Sequence, residues 1–79
     1  MDRNAVKAKV RDLLAELLQR PGLILHDTDR AEDIDGWDSL THMKLLVAIE
    51  DAYDIQFGVS ELSAPANLGE LVDLVCTLG

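Results

Sequence analysis

Three stretches of the chain set apolar residues three and four positions apart. No stretch alternates apolar with polar, so the pattern commits the chain to helices and against strands. In the first stretch Val6, Val10, Leu13, Leu14, Leu17 and Leu18 share one face, with Asn4 in place to cap it and an expected end near Arg20. The second runs from Ser39 to Tyr53 without Pro or Gly. The third follows Asn67, a residue suited to capping, and repeats Leu68, Leu71, Val72, Val75 and Leu78. Between the last two, Val59 to Ala64 is long enough for one short helical segment ended by Pro65. The expected fold is all-α, a four-helix bundle with a short third helix, in which residues 1–79 form a single domain.

A chain of 79 residues removes only roughly 60% of its unfolded surface from water, which argues against an enzyme with an enclosed substrate cavity. Apolar residues make up 48% of the sequence and aromatic ones 4%, so the core should be aliphatic. Fifteen acidic residues against seven basic ones leave a net charge of -8, the wrong sign for phosphate backbones and anionic membranes. Partners should instead present basic surfaces. The chain opens on a charged, helix-periodic segment rather than an apolar leader, and contains no apolar run long enough to span a bilayer, so a cytoplasmic protein is expected. The single Cys76 leaves no internal disulfide and reads as a small buried hydrophobe.

Pro21-Gly22 breaks the first helix and opens a segment reaching Asp38, about 18 residues, which is long for a compact domain and of the kind that often bears function. Leu23, Ile24 and Leu25 can pin it to the core, while Asp27, Asp29, Glu32, Asp33 and Asp35 keep its outer side wet. These acids do not match a calcium loop. Counting from Asp27, Ala31 falls at the fifth position and Glu32 where the turn needs glycine. His26 has no second histidine or cysteine at ligand spacing, so no metal site is expected. Trp37, the one tryptophan, is suited to anchor the end of the loop by burying its ring.

Wound at 100° per residue, the second helix shows two apolar stripes. Leu45, Leu46, Ile49 and Tyr53 lie within about 100° and form the core stripe, with His42 inside the same arc. Leu40, Met43 and Val47 form a narrower second stripe, flanked by Glu50 on one side and by Asp51 and Lys44 on the other. So small a domain rarely needs two core faces on one helix. The second stripe is either a further packing seam or a docking surface.

Ser39 stands where the loop meets this helix, in Gly36-Trp37-Asp38-Ser39-Leu40. A hydrolase built from Ser39, His42 and an aspartate gains little support, because no Gly-rich oxyanion loop or nucleophile elbow is present. A different chemistry fits the position better. The first turn of a helix has free N–H groups and about half a unit of positive charge, so a serine there can bear a phosphodiester. Asp38 suits the same dipole and offers a carboxylate to whatever enzyme makes the attachment.

The motif continues through Leu45-Leu46-Val47-Ala48-Ile49-Glu50-Asp51-Ala52-Tyr53-Asp54-Ile55 and, at the last helix, Asn67-Leu68-Gly69-Glu70-Leu71. Over nearly its whole length the chain resembles the acyl carrier proteins, small acidic helical domains that hold acyl groups as thioesters on a phosphopantetheine arm. The resemblance implies a carrier and not an enzyme, with 4'-phosphopantetheine transferred from coenzyme A to Ser39 by a phosphopantetheinyl transferase. It implies that partner enzymes, the loading ligase or acyltransferase and downstream synthases, read Asp38, Leu40, Met43, Val47, Glu50 and Asp51. Lys44 departs from the acid often found there. Gly36-Trp37 and His42 look more like freestanding carriers of specialised pathways handling short, polar or aminoacyl units than like a general fatty-acid carrier. A monomer is expected for such a shuttle. The nearest competing readings are a peptidyl carrier, which Asp38 rather than histidine before the serine disfavours, and a noncatalytic helical adaptor that uses the second stripe.

Overall fold

The computed structural model describes residues 2–79 and contains three α-helices: α1 (Arg3–Leu18), α2 (Ser39–Tyr53) and α3 (Leu68–Leu78). Two short 3₁₀ turns, Ala31–Asp33 and Val59–Glu61, interrupt the connections, and among the described residues there is no strand. The all-α bundle expected from the periodicity is present, but its short third helix is the 3₁₀ turn Val59–Glu61. Between Gly58 and Pro65 too few residues remain to offset the cost of a helix nucleus.

Each helix is bounded by a specific device. The Asp2 side chain accepts the Asn4 N–H at 3.0 Å, so α1 is capped two residues earlier than Asn4. Gln19, in the left-handed region at φ 56°, ends it one residue short of Arg20. Asp38 caps α2 and Asp54, at φ 54°, closes it. Asn67 caps α3 as expected, its Oδ1 accepting from the Glu70 N–H at 2.9 Å.

α1 packs against both α2 and α3. Val6, Val10 and Leu14 meet Leu45, Leu46 and Ile49 of α2 and Leu68, Leu71, Val72 and Val75 of α3, all essentially withdrawn from solvent. Burying one such side chain contributes about 1.5–3 kcal/mol, and this aliphatic cluster is the main source of stability. Tyr53 and Cys76 sit half-buried at its margin.

The long connection from 19 to 38 is bound to the helices at several points. Of the three expected anchors, Leu25 is buried and Leu23 half-buried, whereas Ile24 is 73% exposed. Backbone bonds complete the docking: Leu68 N–H donates to Asp29 O and Gly69 N–H to Asp27 O, both at 2.8 Å. The approach is so close that a Cβ at Gly69 would lie 3.0 Å from Asp27 O. Arg3 joins all three elements, reaching Asp27 at 3.0 Å and Asp73 at 2.6 Å, while Lys7 pairs with Asp27 at 2.8 Å. The Arg11 guanidinium donates to Leu23 O at 2.6 Å and to Pro21 O.

Candidate functional site

Where the long connection enters α2, four consecutive residues take distinct positions. Gly36 adopts φ +91°, a conformation other residues rarely reach, and a Cβ there would also meet Leu18 Cδ2 at 3.0 Å. Trp37 follows, buried at 5% exposure, the anchor the sequence suggested. Asp38 is the N-cap, its Oδ1 accepting the Thr41 N–H at 2.8 Å. That hydrogen bond holds the Asp38 carboxyl below the usual aspartate range, so it is an anion at neutral pH. Ser39 is the first helical residue and is exposed.

One contact here was not foreseen. The Trp37 indole N–H donates to His42 Nδ1 at 3.1 Å, with ring centroids 5.9 Å apart and the planes tilted by 38°. Trp37 precedes the cap and His42 is the fourth helical residue, the two positions at which a hydrophobic staple fixes the angle of chain into helix. Their spacing in the sequence could have revealed the pair. Because His42 Nδ1 is engaged by Trp37, His42 does not serve Ser39 as a general base.

Beside Ser39 lies a cleft of about 460 Å³. Trp37 and Leu71 form its buried floor, Leu62, Pro65 and His42 its half-buried sides, and Glu32, Asp38 and Ser63 part of its exposed rim. Leu62, Pro65 and Leu71 are remote from Ser39 in sequence, and tertiary packing alone brings them to it.

Further along α2 the two stripes separate as expected. Leu45, Leu46 and Ile49 are buried, whereas Leu40 is 65% exposed, Val47 52% and Met43 43%. Asp51 and Lys44 are exposed beside this second stripe. Glu50 differs: it is half-buried, and its Oε2 accepts the Phe57 N–H at 2.9 Å, tying the chain after α2 back to the helix. The acids of the long connection also have local partners. Asp29 accepts from the His26 N–H at 2.8 Å and Asp33 from the Arg30 N–H at 3.0 Å. Among the described residues, no three or more His, Cys, Asp and Glu side chains converge as a metal-binding group.

An exposed serine at a helix mouth, a capping carboxylate before it and an apolar exposed stripe after it fit a small covalent group, held by the chain and offered to partners. A family model described as a phosphopantetheine attachment site matches residues 8–75. The chain is 32% identical over 79 residues to an acyl carrier protein of Saccharopolyspora erythraea, covering 99% of this chain and 82% of that one. Its structure is similar to the solution structure of holo acyl carrier protein from Geobacter metallireducens, with a TM-score of 0.83 and 34% identity, over 92% of this chain and 84% of the other. The chain therefore belongs to the acyl carrier protein family, whose members are carriers and not enzymes and bear a phosphopantetheine prosthetic group.

Proposed function

We propose that Ser39 is the serine to which the phosphopantetheine arm is attached, and that residues 1–79 act as one carrier domain in the cytoplasm. The observation that supports this best is the exposure of Ser39 as the first residue of α2, directly after the capping Asp38 and inside the segment matched to the attachment-site family. At that position a phosphodiester lies against the positive end of the helix. When bound, the arm supplies a terminal thiol on which acyl groups are held as thioesters. This chain's own part is to hold and present it.

Partner enzymes in this reading dock on α2, over Leu40, Met43 and Val47 with Asp38 and Asp51 at their margins. Glu50 contributes charge but is already bonded to the Phe57 N–H, so its first role is to shape the surface. The net charge of -8 steers basic docking patches on the transferase, the loading enzyme and downstream synthases. The cargo is an acyl unit of fatty-acid, polyketide or related specialised biosynthesis, and the Gly36-Trp37 and His42 positions favour a short or polar one.

Intact mass after incubation with coenzyme A and a broad-specificity phosphopantetheinyl transferase tests the attachment. Wild type should gain one phosphopantetheine group and Ser39→Ala none, with unchanged helical circular dichroism. An equal gain in Ser39→Ala would refute the assignment.

A further inference from the structure

His42, which lines the cleft beside Ser39, has a ring nitrogen for which no described residue supplies a partner. His42 Nδ1 accepts from Trp37, and a neutral imidazole that accepts through one nitrogen bears its hydrogen on the other. Among the described residues no group accepts from His42 Nε2, and that atom is not sealed from solvent. The Trp37 bond thus fixes the tautomer and leaves an N–H donor on a residue that lines the same cleft as Ser39.

We propose that this cleft seats the pantoyl segment of the arm, and that Trp37 and His42 are its positioning residues. The proposal rests on Ser39 as the point of attachment. Geometry selects the segment: a cleft that borders the attachment residue is within reach of the atoms just past the phosphate, not of the thiol at the far end. Chemistry agrees. The geminal methyl groups match the apolar surface of Trp37, Leu62, Pro65 and Leu71, and the first amide carbonyl is an acceptor for His42 Nε2–H. Glu32 and Asp38 on the rim repel the phosphodiester, which stays outside at the helix mouth.

The volume, about 460 Å³, falls within the roughly 300–1,000 Å³ of small-molecule sites. A weak site suffices, because tethering through a short linker gives an effective concentration of order millimolar. Weakness is also required, since the arm must leave the cleft to enter a partner's active site. The seat shortens the reach of the resting arm and keeps it beside α2.

The test uses the holo protein carrying an arm labelled with carbon-13, made from labelled coenzyme A, with intact mass confirming attachment. Nuclear Overhauser contacts are then sought between the geminal methyls and the protons of Trp37 and Leu71. The Trp37 indole N–H resonance, from the single tryptophan, is compared between apo and holo forms. The expected result is a shifted indole resonance and clear methyl-to-ring contacts. Both should be lost in His42→Ala and retained in His42→Gln, which preserves one acceptor and one donor. A full mass gain with no contacts, or contacts that persist unchanged in His42→Ala, overturns the seat or the part given to His42. No mass gain in folded wild type overturns the Ser39 assignment instead, and the seat falls with it.

Discussion

Asp38 shows how much one side chain decides here. Its Oδ1 bond to the Thr41 N–H starts α2, aligns Ser39 as the first helical residue, and holds the carboxyl below its ordinary range. A carboxyl whose pKa is lower folded than unfolded stabilises the fold above the unfolded value, about 3.9, and loses that contribution as pH falls through the folded value. Asp27, depressed by its bonds to Lys7 and Arg3, acts in the same direction. Thermal melting of wild type should therefore be nearly flat around neutral pH and fall below about pH 4. Asp38→Asn keeps a capping oxygen but no titration, so its melting temperature should decline less steeply over that acid range. An identical acid limb in the variant would mean that the cap bond does not favour the ionised form. At this scale the sequence was informative about identity and less so about partners. Ser39, Asp38 and Asn67 could be placed from residue type and position alone, whereas the Trp37–His42 bond needed the geometry of chain entering helix.

At the scale of elements, periodicity located all three α-helices because each has a wide aliphatic face and a cap of recognisable chemistry. It could not distinguish a short helix from a 3₁₀ turn at Val59–Glu61, where local propensity is weak and the outcome depends on how Phe57 and Leu62 pack. The acids of the connection looked like a solvated face, yet Asp27, Asp29 and Asp33 each close a local or long-range contact. Glu50 was legible as a flank of the second stripe, and its bond to the Phe57 N–H was not. That difference separates two charge reversals. Glu50→Lys should lower stability by about 1–3 kcal/mol, the typical cost of losing a partly buried hydrogen bond to a charged group. Asp51→Lys, on an exposed position, should stay within about 0.5 kcal/mol of wild type and weaken only partner transfer. Chemical denaturation of the two variants checks the contrast, and equal stabilities would mean that the Glu50 bond contributes nothing net.

The molecule as a whole combines a small aliphatic core with an acidic exterior and an apolar stripe left uncovered on α2. Among the described residues no helix is long and apolar enough to cross a membrane. The charge was fully legible in composition. The cleft was not, since its walls come from Trp37 and His42 in the middle of the sequence and from Leu62, Pro65 and Leu71 in its last quarter. Steering between an acidic carrier and basic enzymes is screened within about 8 Å at physiological salt. Raising ionic strength from about 0.01 to 0.5 M should lower kcat/KM for modification several-fold, mainly through KM, with little change in kcat. A rate insensitive to salt would locate recognition in the apolar stripe alone.

Whether Ser39 bears the arm is decided by locating the group on the loaded wild-type protein. Proteolysis and tandem mass spectrometry of the peptides should place the whole phosphopantetheine gain on the peptide containing Ser39, with none on Ser60 or Ser63. Modification on either of those serines, or an unmodified Ser39 peptide from a folded protein after complete reaction of a control carrier, would overturn the assignment of Ser39.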